Sequence, residues 1–573
     1  MIQPTYGVLQ TLFADRVFRI PHYQRFYSWQ SRQRQDLFSD LEKLADQGAE
    51  QHHFMATLVC YKTPETKSVG TTQYRVYDIV DGQQRITTLV VLLKCIEQAI
   101  ERNSEIREDL ARILVKRDGN LILLQTNNAN ERIFNRFIRQ GTRPSPADLQ
   151  LRSDNNLDRA IKECSQFVTR WQNERDIESL LSLVLHRLGF IVHDTEDSRA
   201  VYTVFEVLNS RGLDVDWLDK SKSMLMGMAH ELAVSSAAAE AEIHRLQDTW
   251  GQIYREIAKQ DVSGDEILRV TATLYFGAGA GKPRSAEDSL QKLRDTCDSF
   301  SRPHELSESI LEVARRLDEV HGNILREPVT DILQARVLAV AIMMARGVNE
   351  AERSNLLEQW ERVTFRIFGL YGKDSRTKVG DYVRLAAAIV GNDPETQTYN
   401  QIMSRLRELG VEYPIARAVE AGLARKDLYA ESAEICRYVL WLYEEHLARE
   451  AGGSATVNEH DRNAICKSRA ADSIEHIFPQ CPGPSWEGTM RTGDAVEEDP
   501  SIHVGRIGNL MLLPLVVNQQ AQVKPFVEKK ALYLQHNLRM VQEVCREANW
   551  TLAEIEARET RIIEWAKSRW DDV

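Results

Sequence analysis

The chain has 573 residues, and its 72 basic and 84 acidic side chains leave a formal charge of −12 at pH 7. Hydrophobic residues make up 43% of the sequence and charged residues 27%, a composition that excludes a disordered chain. At roughly 100–200 residues per domain, about three or four domains are expected. The net acidity argues against non-specific coating of nucleic acid, although local basic grooves stay open.

The sequence shows no pattern of a membrane span or a secretion signal. Its longest apolar stretch, residues 337–345, is far shorter than the roughly 20 residues that a spanning helix needs. The N-terminus lacks the basic segment and apolar core of a signal peptide. Eight cysteines are scattered without a Cys-x-x-Cys pair, which favours reduced thiols over a disulfide framework. These features predict a cytoplasmic protein.

The first 115 residues mix strand and helix patterns. Short β-branched and aromatic runs at 54–61 and 74–80 predict two strands joined by a loop. Asp81-Gly82 follows the second run, and apolar residues then recur at helical spacing. The segment therefore predicts a strand, a tight turn and a helix. The apolar positions of that helix are Ile86, Leu89, Val90, Leu93, Ile96 and Ile100.

Amphipathic helices dominate from about 120 to 450, where strand signals are weak. A Gly-rich segment at 277–283 lacks the first glycine and the hydroxyl residue of a phosphate-binding loop, so it predicts a loop between helices. A strong helix is predicted over about 433–450. The small polar residues at 451–456 then predict a linker, and a new domain begins there.

Two segments near the N-terminus combine residues that suit a phosphorylated ligand. Residues 20–29 hold one Arg, one Gln and several aromatic side chains, which can grip phosphate and stack on a base. Residues 81–88 begin where a strand meets a helix N-terminus, which favours an anion. Arg85 could bind phosphate oxygens, and Asp81 could hold a divalent cation or orient a water. Equally, Asp81 could be a helix N-cap and Arg85 a surface ion-pair partner.

The C-terminal region places an acid and an imidazole side by side, at Glu475 and His476. Asn509, in Gly-Asn-Leu, and Asn518 come some thirty residues later. Phosphodiester hydrolysis needs a base to activate water, a divalent cation, and basic side chains that position the DNA backbone. This region can supply all three. The candidate DNA-binding side chains are Lys524, Lys529 and Lys530.

Purely structural roles are open for the same residues. A Glu-His pair is usually satisfied by hydrogen bonds within a strand or turn, and asparagines are common turn formers. A zinc site is also conceivable, although the spacing of its ligands would be irregular. Its members would be Cys466, His476, Cys481 and His503.

These motifs together resemble the GmrSD-like family of modification-dependent restriction enzymes. The run at 20–29, Asp81-Gly82-Gln83-Gln84-Arg85, and Asn209-Ser210-Arg211-Gly212 with Asp219 and Lys222 resemble its N-terminal module. Residues 475–480 and 507–510 resemble its C-terminal HNH, or His-Me finger, nuclease.

The resemblance implies a multidomain α+β fold. It comprises a ParB/sulfiredoxin-like α/β domain, a largely helical middle and a C-terminal ββα-metal nuclease domain with flanking helices. The expected bounds are 1–115 for the nucleotide-binding domain, 116–240 for its helical extension, 241–450 for a helical domain and 451–573 for the nuclease domain.

The resemblance also implies roles for individual residues. His476 would be the general base, and Asn509 would orient its imidazole. Glu475 and Asn518 would hold Mg²⁺ or Mn²⁺, and the neutral Asn518 favours one hydrated ion. The residues implied for a nucleoside triphosphate are Gln24, Arg25, Asp81, Gly82, Gln83, Gln84, Arg85, Asn209 and Arg211.

Two departures from the family pattern bear on the nucleotide specificity and not on the fold. Ala56 stands where the family often has Gly, and residues 220–223 are a looser version of Leu-Ile-Lys-Asn. The expected function is a nucleotide-regulated, metal-dependent endonuclease that cuts modified phage DNA and binds or hydrolyses nucleoside triphosphate. A nucleotide-dependent sensor of DNA modification without strong nuclease activity and an RNA-cutting toxin are the alternatives, and a homo-oligomer is left open.

Overall fold

The computed structural model describes residues 4–48, 51–116, 121–126, 130–197, 201, 216–259, 262–277, 281–299, 301–321, 327–452, 461, 464–466, 469–492, 495–497, 499 and 501–571. The chain divides into two compact units. The N-terminal unit holds residues 1–272 and 285–318, and the C-terminal unit holds 273–284 and 319–573. Across the described residues, no helix is long and apolar enough to cross a lipid bilayer.

A six-stranded mixed sheet forms the centre of the N-terminal unit. In spatial order its strands are β1 (Thr5–Val8), β8 (Leu188–Thr195), β3 (His53–Val69), β4 (Thr72–Asp81), β2 (Arg16–Ile20) and β7 (Leu124–Thr126). The predicted strands at 54–61 and 74–80 are confirmed as the middle of the sheet, where β3 and β4 pair antiparallel and extend further than predicted. Gly70, with φ of 58°, lies in the turn between them, in a conformation that glycine adopts most readily. Outside the sheet, β5 (Val115–Lys116) pairs with β6 (Leu121–Ile122).

Strand β8 was not predicted, because the helical pattern on both sides of it dominates the sequence. It runs parallel to β3 and antiparallel to β1, and Leu188, Phe190 and Val192 are buried on one of its faces. The apolar residues of the strand form one short run at 188–192 without alternation in the sequence, which periodicity alone cannot separate from a piece of helix.

The predicted helix after Gly82 is confirmed as Gln83–Ala99, and it is buried on almost every side. It packs against the long helix Arg152–Glu174, and both belong to the main hydrophobic core of this unit. The other helices from 9 to 321 are Leu9–Ala14, Ser31–Ala45, Glu105–Leu114, Glu131–Gln140, Pro146–Asp148, Ile177–Ser182, Leu183–Arg187, Trp217–Leu232, Ser236–Lys259, Gly264–Phe276, Ala286–Thr296 and Arg302–His321.

The C-terminal unit is largely helical, and the predicted helix over 433–450 is confirmed as Ala433–Glu450. Its strands are short: β9 (Ile474–His476) pairs antiparallel with β12 (Leu510–Leu512), and β10 (Arg491–Thr492) pairs with β11 (Ala495–Glu497). The other helices are Glu327–Thr330, Leu333–Met344, Glu350–Thr364, Phe365–Leu370, Val379–Val390, Pro394–Thr396, Tyr399–Gly410, Ile415–Gly422, Leu428–Glu431, Ala470–Ser473, Pro484–Trp486, Ser501–Val504, Ile507–Asn509, Leu515–Ala521, Phe526–Tyr533, Arg539–Cys545 and Leu552–Arg569.

The loops that the sequence predicts at 277–283 and 451–456 lie only in part within the described residues. The segment 205–212, with Asn209 and Arg211, lies entirely outside them.

Candidate functional site

The turn after β4 brings the Asp81 carboxylate to the start of the central helix. Gly82 has φ of 93°, a backbone conformation that favours glycine, and a Cβ at this position would lie 2.9 Å from a methyl group of Leu58. The Gly82 N–H donates to Oδ1 of Asp81 at 2.7 Å. Burial raises the pKa of Asp81, while this N–H and the guanidinium of Arg85 oppose the rise. The turn therefore fixes a half-buried carboxylate beside a cation.

Gln84 holds the aromatic segment 20–29 against the central helix. Its Oε1 accepts from the Ser28 N–H at 2.9 Å, and its Nε2 donates to the Phe26 carbonyl at 3.1 Å. One turn further on, the hydroxyls of Thr88 and Tyr27 lie 2.9 Å apart. The two sequence motifs that suggested a nucleotide site are thus brought together, and Gln84 itself acts as the clamp between them.

Gln24 joins this segment to β4 and to a buried lysine. Its Nε2 donates to the Val80 carbonyl at 3.0 Å, and its Oε1 accepts from Lys222 Nζ at 3.0 Å. Lys222 is fully buried, and its ammonium lies 5.1 Å from the ring centre of Tyr254. Burial lowers the pKa of Lys222 to about 8. Gln24 therefore positions a cation inside the site.

An acidic group from helix Trp217–Leu232 faces these cations. Arg25 lies 3.5 Å from a carboxylate oxygen of Asp219, and the Tyr254 hydroxyl donates to the same side chain. Asp216 caps the helix by accepting from the Leu218 N–H at 2.9 Å. Tyr254 comes from the helix Ser236–Lys259, and no local motif in the sequence pointed to it. The assembled site alternates acids and bases over four separate segments.

Asp216 should make the stability of the fold depend on pH. Burial, followed by the nearby Asp219 carboxylate, raises the pKa of Asp216 from its ordinary 3.8 to about 7. Between these two values the folded chain keeps a proton that the unfolded chain has released, so this contribution to stability falls as the pH rises. We expect Asp216→Asn, which can still cap the helix, to gain stability relative to wild type from pH 4 to 7. Urea unfolding at both ends of that range measures it, and an equal difference at both would contradict the expectation.

Among the described candidate residues, the guanidinium of Arg85 and the Oε1 of Gln83 accept or donate no hydrogen bond. Within the described residues, the half-buried guanidinium of Arg85 makes no hydrogen bond or ion pair. Gln83 is buried, and its Oε1 has no hydrogen-bond partner among those residues. It lines a cavity of about 10 Å³ together with Arg25 and Thr87, which is room for one water molecule. A half-buried guanidinium beside a helix N-terminus is suited to binding a phosphate group.

In the C-terminal unit, strand β9 carries Glu475 and His476. Successive side chains of a strand point to opposite faces, so the two groups have different surroundings. Glu475 is buried, and its Oε1 accepts from Lys529 Nζ and from the Tyr533 hydroxyl, both at 2.7 Å. Burial raises the pKa of Glu475, and the Lys529 ammonium opposes that rise. Lys529 also donates to the backbone carbonyls of His476 and Ile477.

His476 is 9% exposed, and its imidazole packs edge-to-face against Tyr429, with ring centres 4.4 Å apart. Its Nε2 lies 3.4 Å from the Gln480 amide nitrogen. Burial, and then the charge of Lys529, lowers the pKa of His476 to about 4. The ring is therefore neutral at pH 7, the form that can accept a proton.

Asn509 is fully used in holding the chain that follows His476. Its Oδ1 accepts from the Phe478 N–H at 2.8 Å and from Trp550 Nε1 at 3.1 Å. Its Nδ2 donates to the carbonyls of Phe478 and Val504. The imidazole of His476 is not among these partners, so Asn509 supports the turn after the histidine and does not bind its ring.

Asn518 lies in helix Leu515–Ala521, directly after β12. Its Nδ2 donates to the carbonyls of Asp472 at 3.1 Å and of Ile474 at 2.9 Å. Its Oδ1 accepts no hydrogen bond within the described part of the chain. One amide oxygen is therefore available as a ligand next to β9.

The three candidate DNA-binding lysines have different surroundings. Lys524 is exposed, Lys530 is half-buried and donates to the Glu547 carbonyl at 2.7 Å, and Lys529 has 0% exposure. Only Lys524 is placed to meet a DNA backbone in this conformation. Among the described residues no group of three or more His, Cys, Asp or Glu side chains is close enough to hold a metal, so nothing supports the conceived zinc site.

Two family models match the chain. One describes the GmrSD restriction endonuclease N-terminal domain and matches residues 9–226. The other describes the GmrSD restriction endonuclease C-terminal domain and matches residues 413–565. No curated protein sequence matches. The first match covers the segments that meet around Arg85, and the second covers those around His476. The chain belongs to the GmrSD-like restriction endonuclease family.

Proposed function

We propose that the protein is a nucleotide-regulated, divalent-metal-dependent DNA endonuclease that restricts modified phage DNA. The observation that carries the proposal is the place of His476. His476 is the last residue of β9 and lies opposite Leu510 in β12. Helix Leu515–Ala521 follows β12, and this order of strand, strand and helix is the one expected of an HNH-type nuclease. A neutral imidazole at this position suits a general base.

The residues around β9 fit a divalent cation in part. Mg²⁺ usually keeps several waters and takes one or two protein oxygens plus substrate phosphates. The Asn518 Oδ1 fits such a role, whereas the Glu475 carboxylate is held by Lys529 and Tyr533 in this conformation. We therefore propose Asn518 as the protein ligand of Mg²⁺ or Mn²⁺, with Glu475 joining only if its pair with Lys529 opens. When bound, the cation would neutralise the charge that develops on the leaving oxygen.

Each of the protein's own groups then has a separate role in the reaction. His476 takes a proton from water, whose oxygen forms the bond to phosphorus while the bond to the 3′ oxygen breaks. Asn509 keeps the turn after His476 in place, and the exposed Lys524 contacts the DNA backbone. The N-terminal unit binds, and we propose also hydrolyses, a nucleoside triphosphate at Arg85, Arg25 and Asp81.

Cleavage of DNA tests this function. Unmodified and phage-derived modified DNA are incubated with wild-type protein and Mg²⁺ or Mn²⁺, with and without each nucleoside triphosphate, and Arg85→Ala is compared in every condition. We expect wild type to cut modified DNA and Arg85→Ala to lose the response to nucleotide. Nucleotide binding by wild type without cutting of any substrate would contradict the nuclease and favour the sensor.

Arg85→Ala should also weaken nucleotide binding by at least about tenfold, since a charge-assisted hydrogen bond contributes about 1.5–3 kcal/mol. Arg85 forms no hydrogen bond or ion pair within the described residues, and its charge acts only to oppose the rise in the pKa of Asp81, so its loss should lower the melting temperature only slightly. The matched control is Arg112→Ala, an exposed arginine of the same unit with surface ion pairs only. Calorimetric titration with nucleotide measures the difference, and equal affinity in both variants would exclude Arg85 from the site.

A further inference from the structure

Within the part of the chain that the structure describes, His476 forms no hydrogen bond to a carboxylate or carbonyl that would orient its ring. A histidine that acts as a base commonly donates from its other ring nitrogen to a carboxylate or carbonyl, which fixes the ring and its tautomer. Within the described residues, the ring of His476 has one side-chain hydrogen-bond neighbour, the exposed Gln480 at 3.4 Å. Asn509, the residue expected to orient the ring, is committed to the backbone and to Trp550. The orientation of the imidazole must therefore come from packing.

Tyr429 supplies that packing. Its ring meets the imidazole at an interplanar angle of 85°, with centres 4.4 Å apart, which is a favourable edge-to-face geometry. Such a contact fixes the plane of the imidazole without using either of its nitrogens. The phenol hydroxyl has no hydrogen-bond partner within the described residues, so the ring is the part of Tyr429 that makes the contact.

Tyr429 is itself held firmly against the nuclease segment. Its N–H donates to the Gly505 carbonyl at 3.3 Å. A Cβ on Gly505 would lie 3.0 Å from the Lys426 carbonyl oxygen, so the glycine allows this close approach. Arg425 forms ion pairs with Asp427 and Glu431 and so closes the short segment around Tyr429. The tyrosine is tied to the chain just before Asn509, although 47 residues separate it from His476 in sequence.

We propose that Tyr429 is the positioning residue for the general base of the nuclease, holding the His476 imidazole in the orientation in which it takes a proton from water. This inference rests on the proposed function of His476. It predicts that the aromatic ring of Tyr429 is needed for turnover, and that its hydroxyl is not.

The test compares Tyr429→Leu and Tyr429→Phe in the full-length protein on the DNA substrate that wild type cuts. We expect Tyr429→Leu to lower kcat about 10- to 100-fold with KM little changed, because a misplaced reacting group costs rate and not DNA affinity. Tyr429→Phe keeps the ring and should retain kcat within about threefold of wild type. The matched control is Tyr371→Leu, which removes a T-shaped pair with Tyr413 elsewhere in the same unit.

A further variant and a chemical-labelling measurement keep the test decisive if Tyr429→Leu is poorly folded. Gly505→Ala leaves the ring intact but pushes on the segment that carries it, so kcat should fall while the melting temperature moves little. Mass-spectrometric mapping of diethylpyrocarbonate modification should show faster labelling of His476 in Tyr429→Leu and wild-type labelling in Tyr429→Phe. If wild type cuts and Tyr429→Leu cuts equally fast, this inference is wrong and the proposed function stands. If wild type cuts nothing, the proposed function itself fails.

Discussion

Replacing His476 with alanine should reduce DNA cleavage by at least about 100-fold, since a general base contributes about 10²–10⁴ to such a rate. The side chain is almost fully buried beside Tyr429, and its removal deletes the imidazole that we propose as the base. Nucleotide binding should be unchanged, because the nucleotide site that we propose is built from other segments, around Arg85. Initial rates of cleavage under single-turnover conditions measure the effect.

The matched control for this substitution is His244→Ala. His244 is an exposed histidine on helix Ser236–Lys259, where it makes only a surface contact with Asp248. It should cut at the wild-type rate. The melting temperature of both variants must be recorded, because the His476 ring also fills space against Tyr429. A folded His476→Ala protein that cuts as fast as wild type would remove His476 from the mechanism.

The sequence predicted the local elements well where one pattern determined them. The strand, turn and helix around Asp81 follow from a β-branched and aromatic run, an Asp-Gly pair and a helical repeat, and all three elements are present. Strand β8 was not predicted, because its partner β3 lies more than a hundred residues earlier in the chain. Pairing over such a distance leaves no trace in local periodicity.

The site residues divide in the same way. Motifs led to His476, Asn509 and Arg85, because acids, bases and glycines at fixed spacing mark chemistry. Their partners came from elsewhere: Tyr254 from a helix outside the N-terminal match, and Tyr429 from a short helix ahead of the nuclease motif. In a sequence, a tyrosine within a helical pattern looks like an ordinary residue of the hydrophobic core, so neither position was singled out. The pairing of Glu475 with Lys529 likewise spans 54 residues and could not be read from either position.

Replacing Lys529 with methionine should destabilise the C-terminal unit by about 3–5 kcal/mol, the cost of leaving a buried charge without its partner. Lys529 has 0% exposure and donates to Glu475 and to two backbone carbonyls, so its loss removes one donor from each of three acceptors and the counter-charge of the Glu475 carboxylate. Lys524→Met, an exposed lysine five residues earlier, should change stability by about 0.5 kcal/mol or less. Urea unfolding, monitored by hydrogen exchange of peptides spanning 474–480, measures the change in stability of both variants.

The double variant Glu475→Gln/Lys529→Met shows why the single change is costly. With the carboxylate neutral, part of the lost stability should return, because a buried amide is cheaper to leave unpaired than a buried charge. A double variant as unstable as Lys529→Met alone would mean that the backbone carbonyls, and not the ion pair, carry the effect.

The same pair separates two roles for Glu475. If the carboxylate mainly anchors β9 to helix Phe526–Tyr533 through Lys529 and Tyr533, Glu475→Gln should lower stability, and cleavage should fall only as far as folding does. If the carboxylate leaves Lys529 to hold a cation during turnover, Glu475→Gln should stop cleavage even under conditions where the variant is fully folded. Raising Mn²⁺ should then restore part of the rate, which a purely structural loss would not allow. The geometry favours the first outcome, because both neighbours bind the same carboxylate oxygen at 2.7 Å and bury it.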